Sequence, residues 1–205
     1  MSRHTGPRLK IMRALGTELP GLSRKSIELR PNPPGQHGAQ ASRRRKSDYG
    51  LALVEKQKLR FNYGVSESQL RRLMVEARRR SGPSGDNLLQ LLESRLDNVV
   101  FRAGLAPTIP AARQLVGHGH VLLNGRRADI PSMRLRAGDV VRLRERSRNL
   151  GIVQESLAQP ALISPEWLSW DATLMQATVT RLPEADEVPF PIVVQLVVQH
   201  YATRV

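Results

Sequence analysis

The stretch Ala112–Ile130, ARQLVGHGHVLLNGRRADI, decides how this chain folds. Ala112, Leu115 and Val116 recur at helical spacing, a glycine sits between His118 and His120, and two strand-like runs flank Asn124-Gly125. Asn-Gly is the dipeptide favoured by a type I′ turn, because both central residues of that turn need positive φ. The reading is a short helix that delivers the chain to a tight β-hairpin, with Arg126 and Arg127 at the mouth of the returning strand. Downstream, MRLRAGDVVRLRER (133–146) alternates apolar and basic residues on both sides of a Gly138-Asp139 turn. In a strand that alternation places Val141 and Leu143 on one face and Arg142 and Arg144 on the other.

Working upstream, a helix is expected from about Asn87 to Ala103. Leu89, Leu92, Leu96, Val99, Val100 and Ala103 share one face, with Arg95 and Arg102 beside it. A loop through Gly104 to Pro107 leads to Thr108, a candidate N-cap for the short helix that carries Arg113 away from its buried side. Two short helices and a hairpin then make a support from which Arg95, Arg102, Arg113, Arg126 and Arg127 project, and the helix N-terminus at Thr108 offers backbone donors to a phosphate. Arginine suits such a surface because its planar fork binds phosphate bidentately and stays charged.

The charge along the chain supports the same reading. The formal net charge is +14 in 205 residues. Residues 1–80 hold 19 Lys+Arg against 6 Asp+Glu, residues 81–149 hold 11 against 6, and residues 150–205 hold 2 against 6. An excess this large and uneven repels itself in a compact state and points to a polyanion, whose counterions are released on contact. Folded RNA fits better than duplex DNA: there is no long recognition helix for a major groove, and a rigid platform among basic loops suits recognition by shape. Aromatic residues make up only 4% of the chain, which argues against a mode built on stacking successive bases, and Phe61 and Tyr63 are read as packing residues.

The first 47 residues, with Pro7, Pro20, Pro31, Pro33 and Pro34, read as an extended basic segment that ends in Arg43–Lys46. A helix from Ser47 or Asp48 ends near Gly64, and a second starts at Ser66 with capping-box spacing to Gln69. In that second helix Leu70, Leu73, Met74 and Ala77 form the packed stripe, with Arg71, Arg72, Arg78 and Arg79 on the other side. At the far end FPIVVQLVVQHY (190–201) is a β-branched run suited to a buried strand, which apolarity alone does not tell from a short buried helix, and Trp167 and Trp170 read as core. The expected class is α+β. A helical domain over 48–92, preceded by the segment 1–47 and completed by 150–205, flanks a helix-helix-hairpin RNA-binding domain over 93–149, with a C-terminal strand segment packing on the helical part.

Enzyme signals are thin. No cysteine is present, no phosphate-binding glycine loop of the Walker type occurs, and His118 and His120 lack the third ligand a zinc site needs. Arg95-Leu96-Asp97 resembles the aspartate motif of some RNA pseudouridine synthases, but no catalytic sheet domain follows, and Asp97 is read as a helix-surface charge that pairs with neighbouring arginines. No apolar run reaches the length of a membrane span and no hydrophobic signal core opens the chain.

GPRLKIMR near the start, PGQHG at 34–38, SDYG before EKQKLRFNYG, LLQLLESRLDNVVFRAGLAPT and ARQLVGHGHVLLNG together resemble the small-subunit ribosomal protein uS4 family along almost the whole chain. PRLKIMRALGTELPGL and APTIPAARQLV are similar to cyanobacterial and plastid members in particular. The resemblance implies that residues 93–149 form an S4-type domain with no enzymatic activity, cofactor, metal or small-molecule substrate. It implies a primary binder of the 5′ domain of 16S rRNA that nucleates the body of the small subunit. It also implies uS5, uS12 and uS3 as neighbours, a part in decoding accuracy, and a position at the entrance of the mRNA channel.

Expected rRNA contacts are Arg3, Arg8 and Lys10; Gly35, Gln36 and His37; Lys56, Lys58 and Arg60; Arg71 and Arg72; and Arg95, Arg102, Arg113, Asn124, Arg126 and Arg127. Arg43, Arg44, Arg45 and Lys46 match the family's basic segment near the mRNA entrance. The implied location is the cytoplasmic ribosome, or the plastid stroma for an organelle-encoded chain. The ending VVQHYATRV departs from the family's usual one. Two alternatives use the same small domain: an RNA-modifying enzyme, which would need a catalytic domain of its own, and a free-standing RNA binder of the heat-shock type, which would be shorter and lack PGQHG and EKQKLRFNYG.

Overall fold

A computed structural model describes residues 5–41 and 46–202. The chain is mixed α+β and divides into two compact units, one made of the described residues up to Leu88 and from Pro189 onward, the other of Leu89–Val188.

The first unit is helical. Within the proline-rich opening, α1 (Arg8–Leu15) ends at Gly16 in the left-handed region, φ 66°, and α2 (Gly38–Ala41) follows the PGQHG loop. The opening segment therefore holds more helix than its prolines suggested, because those prolines fall between the helices rather than in them. Asn62 ties it down: its buried side chain accepts from the Gly21 N–H at 2.9 Å. α3 (Asp48–Asn62) starts at the expected cap, where Ser47 accepts from the Gly50 N–H, and α4 (Glu67–Arg79) starts with the full Ser66/Gln69 capping box. On α4, Leu70, Leu73, Met74 and Ala77 are buried while Arg71, Arg72, Arg78 and Arg79 are exposed.

The run after Phe190 corrects the sequence reading. Val194–Ala202 is a helix, not a strand, and it packs on both α3 and α4. Val194, Val197 and Tyr201 are buried at helical spacing, whereas Val193 and Gln195 are exposed, and apolarity alone could not separate a short buried helix from a strand. Polar contacts hold this C-terminal helix to α3 and α4. The Glu55 carboxylate accepts from the Val193 N–H at 3.0 Å and from Lys58 at 2.7 Å, and Lys58 also donates to the Pro191 carbonyl. Tyr201 donates to Glu67 at 2.8 Å, and Lys56 holds the other carboxylate oxygen of Glu67 at 2.8 Å.

Burial works to raise the Glu67 carboxyl, but the hydrogen bonds from Lys56 and Tyr201 and the charges of Lys56 and Arg60 outweigh it and hold it below the usual carboxylate range. A carboxylate whose folded pKa is depressed stabilises the fold above its unfolded pKa, and loses that contribution as pH falls through the folded value. In urea unfolding, Glu67→Gln is therefore expected to be less stable than the parent at neutral pH. The gap should close as the pH drops below the ordinary glutamate value of about 4.3, and a gap that stays constant with pH would contradict this role.

The second unit begins within α5 (Ser84–Glu93), continues through α6 (Leu96–Arg102) and α7 (Ile109–Gly117), and enters β1 (Val121–Leu123) and β2 (Arg126–Ala128). The single helix expected from Asn87 to Ala103 is two helices, broken at Arg95 with ψ 143°. A neighbouring segment takes the backbone groups at the break: Leu96 N–H donates to Met133 O at 2.8 Å, Leu135 N–H to Ser94 O at 2.8 Å, and Asp97 N–H to Pro131 O at 3.1 Å.

After β3 (Val140–Leu143), a short helix α8 (Gly151–Ala158) leads to β4 (Leu168–Asp171) and β5 (Gln176–Val179), all within this second unit. The antiparallel sheet runs β2-β1-β3-β5-β4. The C-terminal segment thus divides, contrary to the expectation that all of 150–205 would complete the helical domain. Its strands extend the hairpin sheet because Val140, Val141 and Arg142 pair with Thr178, Ala177 and Gln176. Trp167 is fully buried and Trp170 half-buried.

Candidate nucleic-acid interface

The hairpin has the predicted geometry. Asn124 and Gly125 have φ of 50° and 78°, as a type I′ turn requires. The Asn124 side chain is exposed but already engaged within the hairpin. Its amide donates to Asp139 at 2.8 Å and its oxygen accepts from the Val140 N–H at 2.8 Å, which fastens the hairpin tip to the Gly138-Asp139 turn. The helix before it starts at Thr108, whose hydroxyl accepts from the Ala111 N–H.

Nine arginines of this unit fall into two groups. Arg95, Arg102 and Arg113 do not project together as the sequence suggested. Asp97 has no exposed surface, so it is a core residue rather than a surface charge, though it does pair with arginines. Arg95 grips it with two bonds, Nε to Oδ1 at 3.0 Å and Nη2 to Oδ2 at 2.8 Å, and Arg113 reaches the same Oδ2 at 3.0 and 2.6 Å. Arg102 lies 3.6 Å from Glu93, whose carboxylate also accepts from Asn98, and donates to the Glu187 carbonyl at 2.9 Å. These arginines build the fold: the helix break places Arg95 and Arg102 beside buried carboxylates, and Arg113 reaches Asp97 from α7.

Arg126, Arg127, Arg136, Arg142, Arg144 and Arg146 form the second group, and none has an ion pair among the described residues. The register explains their alignment. Arg127, Leu122, Arg142 and Gln176 sit opposite one another across β2, β1, β3 and β5, so one sheet face carries a row with two arginines, and Arg144 follows just past the end of β3. Arg136 and Arg146 were not among the expected contacts, nor were Arg142 and Arg144, although the alternation in MRLRAGDVVRLRER already placed the last two on the polar face.

In the first unit, Arg8, Lys10, Gly35, Gln36, His37, Lys46, Arg71 and Arg72 are exposed. Lys56 and Lys58 are buried in ion pairs with Glu67 and Glu55, so both serve packing rather than contact with a ligand. Arg60 is half-buried over the Phe61 ring at 5.2 Å, and Tyr63 is core, in line with the reading of both aromatics as packing residues. Arg3, Arg43, Arg44 and Arg45 lie outside the described residues. His118 and His120 stand 6.2 Å apart, and among the described residues no group of three metal-ligating side chains occurs. No helix among those residues is long and apolar enough to cross a membrane.

Residues 3–93 match the Ribosomal protein S4/S9 N-terminal domain family, and residues 94–141 match the S4 domain family. The boundary between the two matches falls at the break between α5 and α6. Over the full length of both chains, 65% of residues are identical to small ribosomal subunit protein uS4 of Methylobacillus flagellatus. This chain belongs to the uS4 family. Similar full-length relatives are uS4B of Nitrosomonas europaea at 63% identity and uS4 of the cyanobacterium Thermosynechococcus vestitus at 52%. The expected likeness to cyanobacterial members is present, at lower identity than to the two other members. These uS4 relatives are ribosomal proteins and not enzymes.

Proposed function

We propose that the chain is a structural constituent of the small ribosomal subunit, and that it binds 16S rRNA in the 5′ domain and nucleates assembly of the subunit body. The observation that carries the RNA reading is the separation of its cations. Arg95, Arg102, Lys56 and Lys58 meet carboxylates and are buried, and Arg113 meets Asp97 half-buried, whereas Arg71, Arg72, Arg126 and Arg127 stand exposed and Arg142 and Arg144 half-buried, where phosphates can reach them. Family membership supports the choice of rRNA over other polyanions. The same membership supports uS5, uS12 and uS3 as neighbours, a part in translational accuracy, and a position of Arg43, Arg44, Arg45 and Lys46 near the entrance of the mRNA channel. The direct rRNA contacts proposed are Arg8, Lys10, Arg71, Arg72, Arg126, Arg127, Arg142 and Arg144, with Gly35, Gln36 and His37 in the exposed loop before α2.

Binding of the full chain to the 5′ domain of 16S rRNA, to unrelated structured RNA of equal length and to tRNA across a salt series tests this reading. The expected result is a preference for the first of about a thousandfold or more at moderate salt. Equal and steeply salt-dependent binding to all three would reduce the surface to a nonspecific RNA grip.

A further inference from the structure

Of the six asparagines in the chain, only Asn124 precedes a glycine. The pair forms the tip between β1 and β2, and both residues are exposed. A glycine leaves the backbone nitrogen after the asparagine unshielded, and a Cβ at Gly125 would meet nothing within 4 Å, so the space around the tip is open. This is the setting in which an asparagine loses its amide to its own backbone. The Asn124 side chain is nevertheless tied at both of its polar atoms. Its amide donates to Asp139 Oδ1 at 2.8 Å, its oxygen accepts from the Val140 N–H at 2.8 Å, and Asp139 is held in turn by the Arg136 N–H, which donates to Oδ2 at 2.7 Å.

We propose that Asn124 is a deamidation site locked by Asp139 and Val140, and that its conversion unfastens the hairpin tip from the Gly138-Asp139 turn. In the reaction the Gly125 backbone nitrogen attacks Asn124 Cγ, and the new C–N bond closes a cyclic imide. The Cγ–Nδ2 bond breaks, and ammonia leaves with the proton that the Gly125 nitrogen gives up. Water then opens either carbonyl of the ring to give aspartate or isoaspartate, so water is taken up, ammonia is released and nothing is oxidised or reduced. Attack requires Cγ to turn onto the Gly125 nitrogen, and the bonds to Asp139 and Val140 oppose that turn. The rate therefore follows the fraction of time in which those bonds are open. After conversion a carboxylate stands where the amide donated, facing the Asp139 carboxylate, and an attraction becomes a like-charge contact. Isoaspartate in addition lengthens the backbone of a turn that needs positive φ at both residues.

The test incubates the full chain, its Asp139→Ala and Asp139→Asn variants and the urea-unfolded chain at mildly alkaline pH, and follows each asparagine by peptide mass spectrometry with isoaspartate detection. Deamidation should concentrate at Asn124, fast in urea and slow in the folded parent. Folded Asp139→Ala should speed it about tenfold through the loss of a hydrogen bond to a charged group. Asp139→Asn keeps an acceptor oxygen and should stay close to the parent. Asn124→Asp, which carries the product side chain, should unfold at lower urea than the parent at neutral pH, with the gap narrowing in acid as one of the two carboxylates is protonated. Equal rates at Asn124 in the folded parent and in folded Asp139→Ala would overturn the lock. If Asp139→Ala does not fold, equal rates in the folded parent and in urea would do so. An Asn124→Asp chain as stable as the parent would overturn the unfastening.

Discussion

Asp97→Ala is expected to destabilise the second unit by about 3–5 kcal/mol, the range for removing one partner of a buried ion pair. The carboxylate has no exposed surface and meets two guanidinium groups, so its loss takes from the buried Arg95 the carboxylate it grips with two hydrogen bonds and from the half-buried Arg113 its contact with Asp97. It also removes the acceptor for the Asn98 N–H in the first turn of α6. Urea unfolding followed by circular dichroism measures the effect. A companion in which Arg95 and Asp97 are both replaced by apolar residues should recover much of the loss, because the cost lies in the buried Arg95 charge left without its carboxylate. A single alanine variant within about 0.5 kcal/mol of the parent, as surface substitutions are, would mean that Asp97 does not hold this core.

The second large effect is expected at Glu55→Ala. Glu55 binds the buried Lys58 ammonium and the Val193 N–H at the approach to the C-terminal helix, so its removal leaves a buried cation unpaired and a backbone donor without its acceptor. The expected loss is again about 3–5 kcal/mol, and it should appear in the first unit as release of the C-terminal helix from α3. Limited proteolysis reports that release directly: cleavage should concentrate between Pro189 and Ala202. Uniform cleavage, or none, would show that the hydrophobic contacts of Val194, Val197 and Tyr201 hold the helix without the carboxylate.

Local signals were legible where side chain and backbone meet within a few residues. Ser47, Ser66 with Gln69, Thr108 and Asn124-Gly125 each announce a cap or turn whose geometry depends on nothing distant, and all occur as read. The failures share a different cause. The break at Arg95 follows from hydrogen bonds to residues 131–135, while the apolar phase from Leu89 to Ala103 runs on as if the helix were continuous. The same break decides the fate of the arginines: on an unbroken helix Arg95 and Arg102 would flank the core, but here they enter it beside Asp97 and Glu93. Charge patterning announced a polyanion-binding surface without distinguishing a cation that meets a phosphate from one that meets a carboxylate. Lys56 and Lys58 illustrate the point, since both were expected to contact rRNA and both fold into ion pairs with carboxylates.

The central claim is that the sheet-face arginines with no ion pair among the described residues form the RNA interface, while Arg95, Arg102 and Arg113, which meet carboxylates, hold the fold. The most direct measurement is the salt dependence of binding to the 5′ domain of 16S rRNA for the full chain and for the triple variant Arg126→Gln, Arg127→Gln and Arg142→Gln. The slope of log affinity against log salt should fall by about three units, with unfolding stability changed by no more than about 0.5 kcal/mol per substitution. An unchanged slope in a folded triple variant would contradict the assignment and place the RNA-binding face elsewhere on the chain.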